Sequence, residues 1–169
     1  MYQKRLCLSI LLILSLFTFI ACSKTPQTPA VQAPFSTLTW DATPDDMIKL
    51  EGKDYNTYDS IYGGVCYTYP KVYNDNAGTI KYMFDGKEQL MCIAWAYSCK
   101  DVKELDTIYQ NINQSVNELY GESNYNTEKE TNYGNVWNLE DGHITLTAMI
   151  TSSNKAIQYA YINPVNKEE

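Results

Sequence analysis

His143 is the one histidine of this 169-residue chain. General acid–base work and nucleophile activation most often turn on such an imidazole. Here it follows Asp141-Gly142 and shares a face of an alternating segment with Thr145 and Thr147, a setting that predicts a solvated strand histidine. Glu128/Glu130 and Glu140/Asp141 are acidic pairs. Two carboxylates at a suitable separation hydrolyse glycosides, whereas sequence neighbours in loops are ordinarily solvated charges. Asn74-Asp75-Asn76-Ala77-Gly78 resembles an oxygen-ligand loop, but the same residues make a strand-to-strand turn, which is the expectation adopted. No Cys-x-x-Cys, His-x-x-x-His, calcium loop or Gly-rich phosphate loop occurs in the sequence. These residues therefore name no catalytic group, no metal site and no cofactor.

Sulfur is the remaining reactive chemistry. Cys66, Cys92 and Cys99 fall in or beside strand-like segments. If the first three such segments form an up-down meander, a whole strand separates Cys66 from Cys92, roughly 9–10 Å. A disulfide needs Cα atoms within about 7 Å. Cys99 lies beyond the end of the third segment, while Cys66 is in the middle of the first. The topology predicts three reduced thiols behaving as small apolar groups.

Charge narrows the partners. The chain carries 13 Lys plus Arg against 20 Asp plus Glu. Arg5 is its one arginine. After the N-terminal segment is set aside, eleven Lys face twenty acids, a formal charge of −9. An acidic domain without arginine is a poor partner for nucleic acid or anionic headgroups. Fifteen tyrosines supply strand propensity and amphipathic contact area; Tyr-rich faces can bind glycans or proteins, but the expectation adopted is that most of these rings half-bury on a small sheet.

The first residues carry a different signal. Lys4 and Arg5 precede an apolar run from Leu6 to Ile20, which suits a signal-peptide core and falls short of the roughly 20 residues of a spanning helix. The run closes on Phe19-Ile20-Ala21-Cys22. This resembles the lipobox of bacterial lipoproteins, with Phe19 a departure from the commoner Leu. The resemblance implies cleavage after Ala21 and a diacylglycerol on Cys22. It also implies a chain anchored to a bacterial membrane on its extracytoplasmic face, in the cell membrane or the outer membrane. Two acyl chains or more hold a protein firmly to a bilayer. Residues 1–21 are then the signal peptide. Residues 22–35, with prolines at 26, 29 and 34, read as a tether reaching up to roughly 40 Å at about 3.1 Å per residue. A single domain over 36–164 and a charged tail over 165–169 complete the chain.

Within the domain, Thr43-Pro44-Asp45-Asp46 marks a helix start with a capping box. It predicts a helix over 44–51, with Trp40 as an anchor before it. Residues 61–69, 79–84 and 90–97 read as strands. Ile80, Tyr82 and Phe84 share one face of the second. In the third, Ile93, Trp95 and Tyr97 compete with Cys92, Ala94 and Ala96 for the inward side. Val102, Leu105, Ile108, Tyr109, Ile112, Val116, Leu119 and Tyr120 recur at helical spacing, capped by Ser98 or Asp101 and stopped at Gly121. After a polar loop at 122–132, strands are expected at 135–139, 144–150 and 157–161. Asp85-Gly86, Asp141-Gly142 and Ser152-Ser153-Asn154 supply the turns.

The expected class is α+β, with helices packed on one face of an antiparallel sheet. Leu50-Glu51-Gly52 echoes Leu119-Tyr120-Gly121, and Tyr62-Gly63-Gly64-Val65 echoes Tyr133-Gly134-Asn135-Val136, suggesting two α-β-β-β repeats. With Trp40 before the first helix and Tyr120-Gly121 ending the second, residues 40–164 resemble the β-lactamase inhibitor proteins and the small outer-membrane-assembly lipoproteins. That topological resemblance implies protein binding and carries over no functional residue. Two function classes stay open. One is a non-catalytic module gripping a protein or a cell-wall component. The other is an envelope hydrolase using His143 or a carboxylate pair.

Overall fold

The computed structural model describes residues 31–129 and 131–164. Cys22, the expected signal peptide over 1–21, the first part of the expected tether and the expected tail over 165–169 lie outside the described residues.

Helix α1 spans Pro44–Glu51. Thr43 caps it, its hydroxyl accepting the Asp46 N–H while the Asp46 carboxylate accepts the Thr43 N–H at 3.0 Å. Helix α2 spans Val102–Tyr120, capped by Asp101, which accepts the Glu104 N–H at 2.8 Å. The strands are β1 (Asn56–Asp59), β2 (Gly63–Tyr73), β3 (Asn76–Asp85), β4 (Leu90–Ser98), β5 (Tyr125–Lys129), β6 (Asn132–Leu139), β7 (Gly142–Ile150) and β8 (Lys155–Ile162). All eight join one antiparallel sheet in the order β1-β2-β3-β4-β8-β7-β6-β5.

This overturns the α+β expectation. Among the described residues strand takes 47% and helix 21%, which makes the described fold β-rich, an eight-stranded sheet with two helices. Two strands escaped the sequence reading because they are the sheet's edges. β1 reads Asn-Thr-Tyr-Asp and is exposed along its whole length. β5 falls inside the expected polar loop. β1, with no buried face, and β5, reading Tyr-Asn-Thr-Glu-Lys, show no apolar alternation to read. Each half of the chain accordingly runs helix then four strands, not three, and the halves join where β4 pairs with β8.

One face of the sheet carries the main core. Ile80, Tyr82, Ile93, Trp95, Ile144, Leu146, Tyr159 and Tyr161 line it, met by Leu105, Ile108, Tyr109, Ile112 and Val116 of α2 and by Met47 of α1. The helical stripe is narrower than its spacing suggests, since Val102 and Leu119 are exposed. Helices cover only part of this face. The rest lies under the chain before α1, where Val31, Ala33, Phe35 and Ala42 are buried. The segment expected as the end of a tether is therefore part of the core from residue 31. Its apolar residues alternate at 31, 33 and 35, and the Phe35 ring meets those of Tyr73, Tyr159 and Tyr161 edge-on.

Polar bonds fix the cover to the sheet. The Glu51 carboxylate accepts from Tyr82 Oη at 2.6 Å and from Lys71 Nζ at 2.9 Å. Ser36 Oγ lies 3.0 Å from the same Tyr82 oxygen. Trp137 Nε1 donates to Asn117 Oδ1 and to the Gly121 carbonyl, both at 3.0 Å.

Candidate functional site

The opposite face of the sheet bears no helix. Its rows follow from the register. Cys66, Met83 and Cys92 align across β2, β3 and β4, with Ile162 next on β8 and His143 next on β7. The next row on this face is Thr68, Lys81, Ala94, Ala160 and Thr145. Beyond it Thr79, Ala96, Gln158 and Thr147 align across β3, β4, β8 and β7.

The first row is closed. Cys66, Met83, Cys92, Ala94 and Ala160 form a small buried cluster against which Tyr62 and Ile162 pack. The meander thus places Met83 between Cys66 and Cys92, as the sequence predicts, and Cys66, Cys92 and Cys99 are free and buried. Burial is the main cause that raises all three thiols, pushing Cys92 up to about 12 and Cys99 to about 11.

In the second row Ala94 and Ala160 are closed within the same cluster. The third row is half-open, and a trough of about 720 Å³ lies over it, lined by Thr79, Ala96, Gln158 and Thr147, with Lys81 and Thr68 of the second row, Tyr58 and Met149 beside them. Clefts that hold small ligands run to about 300–1,000 Å³. Lys81 is the one charged residue lining it. Among the described residues the one ion pair is Lys71–Glu51, on the other face, so Lys81 has no carboxylate partner. Sequence reading singled out neither the trough nor Lys81. The alternation of β3 did place Lys81 away from the core, but the trough is made by the pairing of β4 with β8, which joins residues 96 and 158.

The residues singled out from sequence scatter. His143 stands on the helix-free face, paired in register with Asn138 and Ile162. It is half-buried rather than fully solvated, and its Nδ1 is buried with no hydrogen-bond partner among the described residues. It does not line the trough. Asp141 accepts the Val31 N–H at 3.1 Å, which ties the N-terminal segment to the β6–β7 turn. Glu140 is exposed beside it. Of the pair Glu128/Glu130, Glu130 lies outside the described residues. Asn74 and Asp75 take positive φ, 46° and 63°, between β2 and β3, so the expected strand-to-strand turn is there but holds only these two residues, while Asn76, Ala77 and Gly78 already pair with β2. Among the described residues no group of three or more His, Cys, Asp or Glu is placed to hold a metal ion. No described helix is long and apolar enough to cross a membrane.

Comparison with family models, with curated proteins and with solved structures finds no match.

Proposed function

We propose that this chain is a lipoprotein, anchored by lipid on Cys22 to the extracytoplasmic face of a bacterial membrane, whose domain is a non-catalytic binding module. The anchor reading rests on Lys4, Arg5, the short apolar run and Ala21-Cys22. The observation that carries the binding reading is the open trough on the helix-free face. A sheet face that meets only water gains nothing from carrying rows of Ala beside hydroxyl and amide groups that converge on one cleft. A ligand that covers it does gain. Neither His143 nor Asp141 lines the trough, and Asp141 is bonded to the Val31 N–H, so the hydrolase alternative is the less favoured reading.

Both parts are open to test. Metabolic labelling with an alkyne palmitate should mark the wild-type chain and not Cys22→Ser, whose precursor should stay uncleaved. Label on the variant would end the anchor reading. A photo-crosslinker placed at Thr147 in the trough should capture an envelope component, whereas one at Thr107, on the exposed side of α2, should not. Equal capture from both positions would remove the trough from the binding reading.

A further inference from the structure

Charge is sorted across this domain. The chain holds twenty Asp and Glu. Yet the helix-free face, in the rows running from Cys92 to Ser98 of β4, presents none on β2, β3, β4, β8 or β7. The one charged residue of those rows is Lys81, half-buried between Thr68 and Ala94. An acidic surface kept for solubility alone would spread over this face too. A lysine without a carboxylate, in a field cleared of carboxylates, is arranged to receive an anion.

The surroundings say what kind. Beside Lys81 the trough offers uncharged hydroxyl and amide groups, among them Thr79, Thr147 and Gln158, over a floor of Ala. The exposed ring of Tyr58 stands at the rim. Hydrogen-bonding groups of both senses beside an aromatic face and one cation match a polyhydroxylated ligand with a carboxylate. They do not match a nucleic acid or a multiply charged phosphate, which would demand more than one cation.

We infer that the trough is a saccharide site, which takes an oligosaccharide bearing a carboxylate and holds the acid group on Lys81. This rests on the binding reading above and names its ligand class. Lys81 Nζ donates to the carboxylate, while Thr79, Gln158 and Thr147 exchange hydrogen bonds with ring hydroxyls.

Calorimetry on the whole mature domain at low salt tests this with four probes: sialyllactose, a hyaluronan tetrasaccharide, the N-acetylglucosamine–N-acetylmuramic acid disaccharide, and uncharged chitotetraose. At least one carboxylated sugar should bind at least tenfold more tightly than chitotetraose. Lys81→Met should weaken that binding about tenfold, the scale of one charge-assisted hydrogen bond, without moving the melting temperature. Ala96→Trp should fill the trough and abolish it, and Thr147→Tyr serves if that variant does not fold. Failure of all three acidic sugars to bind at millimolar concentration would overturn the inference, as would binding indifferent to Lys81→Met. The binding reading itself fails separately. Chitotetraose bound in the trough and blocked by Ala96→Trp would sink the anionic sugar and keep the module. Amide shifts lying wholly outside the trough would sink both.

Discussion

Gly52 and Gly121 close the two helices in one backbone conformation, with φ 100° and ψ −172° at the first and φ 85° and ψ −178° at the second. Each also offers its carbonyl to an aromatic side chain of the sheet. Tyr69 Oη donates to Gly52 at 2.9 Å, and Trp137 Nε1 to Gly121 at 3.0 Å. Tyr69 is on β2 and Trp137 on β6, the second strand of each half. The same joint is therefore made twice.

That backbone region is essentially closed to residues with a Cβ and costs about 1–3 kcal/mol when one is forced into it. A Cβ at Gly121 would meet no atom within 4 Å, so the cost is backbone strain alone. Gly121→Ala should lower stability by about 1–3 kcal/mol in a urea titration, and Gly52→Ala by a similar amount. A neutral Gly121→Ala would mean that the chain leaves α2 by another route.

Phe35 ties the segment from residue 31 into the core, in place of the expected tether end. It is 5% exposed and packs on three tyrosine rings. Large-to-small changes of a buried Phe cost about 3–5 kcal/mol, a large share of a small domain's stability. Phe35→Ala should show that loss in thermal melts. An unchanged melting temperature would return residues 31–35 to the tether.

Much of this fold is legible because local pattern and long-range packing agree. Thr43 and Asp46 announce α1 through chemistry three residues apart. The stripe of α2 repeats often enough to survive two exposed members. What was not legible is non-local or unpatterned. β1 is exposed along its whole length and β5 carries one apolar side chain, the exposed Tyr125, so only their neighbours define them. Pro34 beside Phe35 reads as linker, although the alternation of Val31, Ala33 and Phe35 was a signal for burial. Lys81 looks like any outward strand lysine until the pairing of β4 with β8 shows that no acid shares its rows.

The stripe of α2 yields a contrast within one helix. Ile112 is 1% exposed and Leu119 is 55% exposed. Ile112→Ala should cost about 2–5 kcal/mol, whereas Leu119→Ala should stay within about 0.5 kcal/mol, as surface changes do. Paired urea titrations read both. Equal losses would place Leu119 under cover, against a sheet or a partner.

The thiols test the register of the first half. With Met83 between Cys66 and Cys92, no bridge joins those strands. The unfolded, unreduced domain should titrate as three free thiols. In the folded domain at pH 8 the same reagent should react slowly, because burial raises all three groups and the thiolate is the reactive form. A count of one would require a disulfide and a different strand order.

Alkali should unfold the domain, and the direction follows from its tyrosines and thiols. A phenol is neutral while protonated, so burial favours the protonated form. Burial pushes Tyr62 and Tyr69 up to about 12 and raises Tyr159 further. Burial raises Tyr82 as well, and the Glu51 carboxylate that accepts its hydrogen bond adds to the shift. Cys92 and Cys99 move in the same direction. The folded state thus holds these protons more tightly than the unfolded chain, whose phenols titrate near 10 and thiols near 8.5. Wherever the unfolded state has released protons that the native state keeps, stability falls as pH rises. The contribution of these groups is complete below about pH 8, begins to decline as unfolded thiols ionise, and falls steeply above about pH 10 as unfolded phenols follow. Urea midpoints should be flat through neutrality and drop beyond pH 10. Phenolate absorbance at 295 nm should rise in two stages, exposed rings first and buried rings together with the loss of circular dichroism. A single wave near pH 10 with the fold intact would show that Tyr82 and Tyr159 are open to solvent, and the packing described for the helix-covered face would then be wrong.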